Sequence, residues 1–427
     1  MAKSTDVPKF GLCSGLKVVH MTTSVAGPFA ACLFADNGAD VIMLENPKVP
    51  DMTRNRYGNA WRQNSRNERN LNLNVPTPEG KEIFLELMKE ADIFIEASVG
   101  GRWDEWGLSD EVLWEQNPKL VIAHITGFGQ TGDPYYTKRP SYDPIGQAYG
   151  CYMAINGFPD RPPIPAMVQP IDFMCGWAAF SFSLAAVRNA EKTGKGESID
   201  IAQYEIAMRT QSYYPMDYIM HGDLPKPEGN HGAAAGYGLY TCKDGYIFML
   251  ILGSKAIQSA VSVLGIEDKR HLFPSENSMV YPEAEQGIVL EKAIEDFCAQ
   301  RTAEEVERIL LENGISCSRV MTYADVEFDP HYLERGVWAE WDGTDGIRTK
   351  GVGVLPPLKN FPGQIWRGAP TIGLDNDDIL SELGYSEKQI KELYDKGITI
   401  KRGDTARPAA FQKTRDWQKI AKERLGQ

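Results

Sequence analysis

The residue in this chain best suited to do chemistry is Asp172. It lies in an apolar, small-residue stretch, VQPIDFMCGWAAFSFSLAAV at residues 168–187, which contains no other charge. An aspartate with an ordinary pKa of ~3.9 is ionised at pH 7 and can attack a carbonyl carbon without an activating base. An apolar setting would raise that pKa, whereas backbone N–H groups at a helix start would lower it. The chemistry indicated is nucleophilic catalysis by a carboxylate.

The same aspartate could instead serve as a helix cap. Pro170 precedes it by two residues and helical spacing begins at Phe173, which predicts that Asp172 lies at or near a helix N-terminus. Aspartate is favoured at the N-cap because its oxygen accepts an unpartnered backbone N–H, which is typically worth ~1 kcal/mol. The stretch alone allows both interpretations, and the two are compatible.

The elements that would position Asp172 are parallel strands that alternate with helices. Hydrophobic patterns predict strands at residues 17–20, 70–75 and 93–98, a glycine helix stop followed by a strand at 38–45, and a strand that runs into a glycine-rich loop at 120–132. They also predict helices at 29–36 and 80–92. This alternation predicts an α/β fold with a mostly parallel, doubly wound sheet. The second strand ends in Glu45, as in a dinucleotide site, but the G-x-G-x-x-G turn is missing. A nicotinamide site is therefore disfavoured.

The chain of 427 residues is long enough for two domains. Its composition shifts to Pro, Gly and Ala between residues 222 and 238, and a hairpin at 239–252 follows. The final 27 residues hold eight Lys/Arg against three Asp/Glu. We predict a large domain built from residues 1–225 and 331–400, a small α+β domain at 226–330, and a C-terminal extension at 401–427 that lies on a neighbour's surface.

Composition excludes several classes of function. The net charge of −13 disfavours nucleic-acid binding, which relies on basic surfaces. No uninterrupted apolar run of membrane-spanning length and no signal-peptide pattern is present, so we expect no membrane partner and a cytoplasmic location. The seven cysteines are scattered without a C-x-x-C pair, so we expect neither a disulfide framework nor a metal site.

Several further motifs occur in a fixed order along the chain: SVAGPFAACLFADNGADVIMLENP, IFIEAS, NPKLVIAHITGFGQTGDP, SYDPIGQA, the Asp172 stretch, TGKGESIDIAQYE, CKDGYI and GAPTIGLDNDDILSELGYS. Together they resemble the class III CoA-transferase family, of the carnitine and bile-acid type, from about residue 8 to residue 400. The resemblance implies a transferase that moves CoA between carboxylic acids through a nucleophilic aspartate, at the position of Asp172.

The resemblance also implies a fold and a set of partners. Its large Rossmann-like domain is built from both chain ends, a smaller domain is inserted, and two ring-like copies interlock as a homodimer. Acyl-CoA and a carboxylic acid are the substrates, and no cofactor is permanently bound.

By the same resemblance, CoA contacts are expected at Ala26, Arg69, Ser98, Val99, Arg102 and Tyr142. Carnitine-type relatives carry a lysine and an arginine where this chain has Val99 and Trp106, and Arg102 stands close enough to replace one positive charge. The segment 51–69, which contains Arg54, Arg56, Arg62, Arg66 and Arg69, predicts either a solvated loop or a phosphate clamp. Lys138 and Arg139 are further candidate cations.

The acceptor acid is expected near Tyr213, Tyr214, Asp217 and Trp177. Aromatic faces with an acid can hold a quaternary ammonium group, which favours a carnitine, crotonobetaine or γ-butyrobetaine acceptor. The equally simple interpretation of residues 209–220 is a core helix with aromatic packing. The chain's length and basic tail are similar to the bile-acid branch, so a bile acid is the alternative acceptor.

A third interpretation is an α-methylacyl-CoA racemase, which pairs the matching aspartate with a histidine. Tyr142 occupies that histidine position here, and a tyrosine of pKa ~10 exchanges protons poorly at neutral pH. His124 belongs to a predicted strand and is expected to pack in the core. A transferase is therefore favoured over a racemase and over a non-catalytic acyl-CoA-binding homologue.

Overall fold

The structure is a computed structural model, and it describes residues 7–56, 58–403 and 415–426. The side chains of residues 55 and 56 are not described. Part of the predicted C-terminal extension, residues 404–414 and 427, lies outside the described residues.

The strands are β1 (Lys17–Met21), β2 (Asp40–Glu45), β3 (Arg69–Asn72), β4 (Ile93–Glu96), β5 (Val121–Thr126), β6 (Ser198–Ala202), β7 (Tyr237–Thr241), β8 (Tyr246–Leu250), β9 (Ser316–Arg319), β10 (Trp338–Asp342) and β11 (Arg348–Val352).

The helices are α1 (Ala26–Asp36), α2 (Thr53–Arg56), α3 (Gly58–Asn64), α4 (Pro78–Glu90), α5 (Arg102–Glu105), α6 (Asp110–Gln116), α7 (Pro134–Thr137), α8 (Asp143–Tyr149), α9 (Pro170–Thr193), α10 (Gln203–Arg209), α11 (Tyr214–His221), α12 (Ser254–Val263), α13 (Glu285–Ala299), α14 (Ala303–Glu312), α15 (Tyr323–Val326), α16 (Pro330–Glu334), α17 (Asn376–Glu382), α18 (Glu387–Asp395) and α19 (Trp417–Leu425).

A six-stranded sheet in the order β3-β2-β1-β4-β5-β6 carries the candidate site, and every neighbouring pair in it is parallel. Its central strands are buried on both faces, as the continuous apolar runs predict. The predicted parallel α/β sheet is thus confirmed. The strand order reverses direction between β1 and β4, and in such sheets ligands bind beyond the carboxyl ends of the strands at this point.

The chain divides into two compact units. The first contains the described parts of Met1–Met153, Pro165–Met220 and Pro330–Gln427, and the second contains Ala154–Ile164 and His221–Asp329. The second unit holds the antiparallel sheet β7-β8-β9, and Ile247, Met249 and Leu290 contribute to its own apolar core. The sequence-based prediction began the small domain at residue 226 and did not include residues 154–164 in it. These residues contact the rest of the unit through a hydrogen bond from the Gly229 N–H to Gly157 O.

The arginine-rich segment 51–69 forms buried ion pairs. They are Arg54 with Glu45, Arg62 with Asp345, Arg66 with Asp36, and Arg69 with Asp40 and Glu382. Arg62, Arg66 and Arg69 reach across roughly 30 to 310 positions of sequence, so they tie the N-terminal half of the first unit together and to its C-terminal part. For these four side chains, the predictions of a solvated loop and of a phosphate clamp are both wrong. The side chain of Arg56 lies outside the described residues.

Glu45, the acid at the end of β2, also uses its carboxylate for structural hydrogen bonds. Its carboxylate accepts hydrogen bonds from Arg54, from the backbone N–H of Asp51 and from Asn70 Nδ2. It therefore has no free lone pair aimed at a ribose, in keeping with the missing glycine-rich turn.

Candidate active site

Asp172 lies in the first turn of α9, and the close packing of α9 against α1 decides what surrounds it. A Cβ atom on Gly176 would lie 2.7 Å from Phe29 Cδ1 and 2.9 Å from Ala26 O, so a larger residue would push the helices apart. Phe29 also packs edge-on against Phe173, with 4.8 Å between ring centroids. The first turns of α1 and α9 consequently share one cleft.

By length and apolar composition alone, α9 could cross a membrane. Its buried residues Ile171, Cys175, Ala179 and Val187 instead belong to the apolar core formed with α1 and the sheet.

The start of α9 is capped by Asp143, not by Asp172. Asp143 Oδ2 accepts the backbone N–H groups of Ile171 (2.7 Å) and Asp172 (3.1 Å). The N-cap residue itself, Gln169, makes no side-chain cap bond. The interpretation of Asp172 as a helix cap is therefore wrong, because another aspartate already caps the helix. The Asp172 carboxylate is left available for chemistry.

That carboxylate is buried and has a single hydrogen-bond donor. Gln203 Nε2 donates to Asp172 Oδ1 at 2.6 Å, and no residue in the described part of the chain donates to Oδ2. Burial raises the pKa of Asp172 to about 7, the negative charge of Asp143 adds to the rise, and the Gln203 hydrogen bond opposes it. At neutral pH a large share of molecules carries an ionised but poorly solvated carboxylate, which is a reactive nucleophile.

The cleft around Asp172 has a volume of about 210 Å³. Its walls are the loops that follow β1, β4 and β5, the first turns of α1 and α9, and Gln203 at the end of β6; the lining residues are Thr23, Ser24, Val25, Ala26, Gly27, Ala97, Ser98, Val99, Ile125, Thr126, Gly127, Arg139, Pro140, Ser141, Tyr142, Asp172 and Gln203.

An adjoining cavity of about 440 Å³ lies beyond the ends of β1, β2 and β4 and shares Thr23, Ala97, Ser98 and Tyr142 with the cleft. Together the two spaces follow the carboxyl edge of the sheet at its switch point.

Glu96, the last residue of β4, holds two of the cleft loops in place. Its Oε2 accepts the N–H of Ser98 (2.6 Å) and the indole N–H of Trp103 (2.9 Å). Its Oε1 contacts His124 Nδ1 (2.8 Å) and accepts from Gln130 Nε2 (3.1 Å). A buried carboxylate with this many partners is a fixed anchor for the loops after β4 and β5.

His124 is part of this anchor and does not line the cleft. Burial opposes its protonated form, but hydrogen bonds with Asp110 and Glu96 outweigh burial and raise the pKa of His124 to about 10. The imidazole is therefore a protonated partner of two carboxylates at neutral pH.

Four of the residues expected to contact CoA, Ala26, Ser98, Val99 and Tyr142, line the cleft with Asp172. Arg69 does not, because its buried guanidinium is bound by Asp40 and Glu382. Arg102 is exposed, pairs with Glu105 on α5 and also lies outside the cleft lining.

Arg139 is the cation that lines the cleft among the described residues. Its guanidinium carbon lies 4.9 Å from the ring centroid of Phe128 and 5.4 Å from that of Tyr136. Aromatic faces hold the guanidinium group without neutralising its charge, so it can still attract an anion.

The four residues expected to hold the acceptor do not line this cleft. Tyr213 is exposed just before α11 and Asp217 is half-buried on it, and α11 buries none of its residues within this chain. The centroids of the Tyr213 and Tyr214 rings lie 5.0 Å apart. Trp177 packs against Phe29 and Phe180 on the flank of α9.

Sequence reasoning missed Gln203 and the capping role of Asp143. Gln203 directly follows β6, so its place at the carboxyl edge of a parallel sheet was a usable signal. Asp143 stands in the SYDP motif, but its spacing of 29 residues from Asp172 gives no local hint of a cap.

Nothing in the described residues resembles a metal centre, and each of the seven cysteines, all of which are described, is a free thiol.

Comparisons with known proteins agree on one family. Residues 13–376 match CoA-transferase family III. The bile acid CoA-transferase BaiK of Clostridium scindens is 40% identical over 401 residues, which cover 92% of this chain and 91% of that protein.

Two solved structures share the fold. A CAIB/BAIF family protein from Brucella suis superposes with a TM-score of 0.75 and 28% identity, over 88% of this chain and 100% of that one. Rv3272 from Mycobacterium tuberculosis gives a TM-score of 0.74 and 24% identity, over 87% of this chain and 99% of that one. At that identity the second likeness concerns the fold alone.

Proposed function

The chain belongs to CoA-transferase family III and is a CoA-transferase, and from that premise we propose that Asp172 is its nucleophile and a bulky apolar acid of the bile-acid type its acceptor. The observation that carries the proposal is the Asp172 carboxylate, which is buried in the cleft, has one hydrogen-bond donor, and has a pKa raised to about 7.

The first half of the reaction transfers CoA to the enzyme. Asp172 Oδ2 attacks the thioester carbonyl of an acyl-CoA, and collapse of that adduct expels CoA thiolate and leaves a mixed anhydride on Asp172. The thiolate then attacks Asp172 Cγ and releases the acyl group as a free carboxylate. The enzyme now carries an aspartyl-CoA thioester.

The second half runs these steps in reverse with another acid. The incoming carboxylate attacks Cγ, CoA thiolate leaves, and the thiolate attacks the carbonyl carbon of the new acyl group. Each step makes one bond to carbon and breaks another, and no net proton is exchanged. The thioester energy is thereby conserved for the new acid.

Both intermediates hydrolyse in water, so the cleft has to be dry while they exist. Apolar contacts join α1 and α9, including Phe29 with Phe173, and Ala26 and Ile171 lie in the same buried core next to Asp172. The α1 helix begins at Ala26 without a side-chain cap, so its first backbone N–H groups can stabilise the oxyanion formed at the thioester carbonyl.

We place CoA along the carboxyl edge of the sheet. The 210 Å³ cleft suits the reacting groups, and the larger adjoining cavity suits the nucleotide end. Ala26, Ser98, Val99 and Tyr142 would contact CoA near the reacting thioester. Arg139 is the cation best placed to meet a phosphate, in place of the buried Arg69.

Two observations favour a bile acid over carnitine as acceptor. The identity of 40% with a bile acid CoA-transferase extends over nearly the whole chain. A quaternary ammonium needs an aromatic cage, but the described cleft lining holds one aromatic side chain, Tyr142, and one carboxylate, the nucleophile itself. A carnitine-like acid is the second candidate, supported by the exposed Tyr213 and the half-buried Tyr214 and Asp217 on and beside α11.

The racemase alternative lacks an acid–base partner for Asp172. The described cleft lining contains no histidine, and His124 is bound by Glu96 and Asp110. The buried carboxylate likewise disfavours a non-catalytic acyl-CoA-binding protein, because a buried charge without a counter-ion lowers stability and has no use in simple binding.

We also propose that the enzyme is a cytoplasmic homodimer, interlocked as in its family. Support comes from apolar side chains that this chain leaves exposed on α9 and α11, namely Phe182, Met216, Ile219 and Met220. A second copy would remove them from water.

An acceptor screen tests the proposed function. Purified enzyme is incubated with a bile acyl-CoA and, in separate reactions, with free bile acids, carnitine, crotonobetaine and γ-butyrobetaine, and new CoA esters are measured. We expect CoA transfer to bile acids and little transfer to the betaines. The Asp217→Asn variant should transfer CoA to bile acids at the wild-type rate. Efficient betaine transfer that is lost in Asp217→Asn would replace our acceptor with a carnitine-like one.

A further inference from the structure

Gln203 touches the reacting carboxylate and is built into the site from both sides. It is the first residue of α10, directly after β6 ends at Ala202, and its side chain is buried. Helix α8 approaches it closely because Gly146 has no Cβ; a Cβ there would lie 2.8 Å from Gln203 Cβ. This tight fit leaves the Gln203 side chain little freedom to move.

The orientation of its amide follows from its two partners. The Ser141 hydroxyl donates to Gln203 Oε1 at 2.6 Å, and Gln203 Nε2 donates to Asp172 Oδ1 at 2.6 Å. An ionised carboxylate can only accept hydrogen bonds, so the NH₂ end must face Asp172. The Ser141 hydroxyl can donate to the oxygen end. Both hydrogen bonds, Ser141 to Gln203 and Gln203 to Asp172, therefore pair a donor with an acceptor.

We propose that Gln203 is a catalytic residue that stabilises the oxyanion formed on Asp172 Oδ1 whenever Asp172 Cγ is attacked. This inference rests on the proposed function, because Cγ becomes an electrophile only after Asp172 has been acylated. It adds a donor for the enzyme's own carbonyl, distinct from any donor to the carbonyl of the substrate.

The donor matters because negative charge develops on Oδ1 during the attack on Cγ. CoA thiolate forms a bond to Cγ, and the electron pair of the Cγ–Oδ1 double bond moves onto Oδ1. The charge on Oδ1 is largest at that moment, and an N–H already at 2.6 Å stabilises it without reorganisation. The double bond then re-forms, the Cγ–Oδ2 bond breaks, and the acyl group leaves as a carboxylate.

The same contact assigns separate tasks to the two oxygens. Oδ1 is held by Gln203, whereas Oδ2 receives no hydrogen bond from the described residues and is free to form the acyl bond. An oxygen without a donor is the better nucleophile because it gives up no hydrogen bond on attack.

Three variants test the proposal against a merely structural role. Gln203→Leu keeps the size of the side chain and removes the donor, Gln203→Met is a second near-isosteric replacement in case leucine disturbs folding, and Ser141→Ala removes only the group that orients the amide. Measurements are the rate at which the aspartyl-CoA adduct forms in a single turnover, the pH profile of kcat/KM, and the Asp172 pKa followed by ¹³C NMR.

We expect Gln203→Leu and Gln203→Met to form the adduct about 10²–10³-fold more slowly than wild type, as for the loss of one oxyanion donor. The Asp172 pKa should rise and the acidic limb of the pH profile should move upward with it, because the lost hydrogen bond lowers that pKa. Ser141→Ala should give a smaller loss in the same direction.

Adduct formation within about threefold of wild type in both glutamine variants, with an unmoved Asp172 pKa, would overturn the role of Gln203 and leave the proposed function intact. A wild-type enzyme that moves CoA without any adduct on Asp172 would overturn the proposed mechanism and this inference together.

Discussion

Two buried regions of the first unit use carboxylates in opposite ways. Around segment 51–69, Asp36 is bound by the Arg66 guanidinium and by Asn67 Nδ2. In the cleft, Asp172 is bound by a single neutral amide, and the charged group that most affects it is a second carboxylate, Asp143. Burial raises the pKa of both aspartates, but Arg66 opposes the rise at Asp36 whereas Asp143 adds to it at Asp172.

The difference separates groups that hold the fold from a group that reacts. Buried arginine–carboxylate pairs are satisfied on both sides, so their charge is not available to a ligand. A buried carboxylate that lacks such a partner stores interaction energy that bond formation can release. Asp172 lacks such a counter-ion, which agrees with the reactive role that its sequence context predicts.

The largest expected effect is on catalysis, from Asp172→Asn. Transfer should fall by roughly 10⁴-fold or more, since the amide cannot form the anhydride. The free energy of unfolding of the variant should instead increase relative to wild type. In wild type, the folded-state pKa of Asp172, about 7, lies above its unfolded-state pKa, so ionisation of the carboxylate lowers the stability of the fold as pH rises from about 4 to 7. The variant should have a higher Tm than wild type at pH 8, measured by calorimetry, and a clearly lower Tm would contradict the contrast with Asp36.

The next effect is on stability, from Arg66→Met. Removing the guanidinium leaves Asp36 buried with only neutral partners, Asn67 and the Cys32 thiol, and takes a donor from Val352 O and from Gly353 O. We expect a loss of about 3–5 kcal/mol in the free energy of unfolding, measured by urea denaturation. The KM for acyl-CoA should be unchanged in the fraction that folds.

Arg308→Met is the matched control, because the exposed Arg308–Glu312 pair on α14 should contribute nothing measurable to stability. If Arg66→Met costs no more than this control, the buried pairs are not what holds the segment.

The smallest effect is a pH shift, from Asp143→Asn. For wild type, kcat/KM should rise with pH through an acidic limb near pH 7, because only ionised Asp172 attacks. Asparagine keeps an oxygen that can accept the N–H groups of Ile171 and Asp172 but removes the charge that raises the Asp172 pKa. The limb should move to lower pH in a profile recorded at several pH values. An acidic limb at the same pH as in wild type, or at higher pH, would show that the charge of Asp143 does not raise the Asp172 pKa.

The sequence predicted the parts of this molecule that depend on local patterns. Apolar runs located β1, β2, β4 and β5, and the isolated charge of Asp172 in an apolar stretch pointed to the cleft. Ala26, Ser98, Val99 and Tyr142 were found by resemblance to a family, and the same cleft contains them.

The errors concern contacts between residues far apart in the chain. Arg69 is buried and forms an ion pair with Glu382, which lies 313 positions later in the chain. No local sequence pattern predicts this partner. Asp143 and Gln203 owe their importance to Asp172, which lies 29 and 31 positions away from them. The tyrosine-rich helix α11 has composition typical of a ligand cage, but its position relative to the cleft is set by the fold.

The formation of a covalent intermediate on Asp172 can be measured as the intact mass of the enzyme after a single turnover with acyl-CoA and trapping with borohydride or hydroxylamine. We expect a modified enzyme, with the change mapped by peptide sequencing to Asp172 and absent from Asp172→Ala. An Asp172→Ala enzyme that still exchanges CoA between two acids at the wild-type rate would contradict the role of Asp172 as nucleophile.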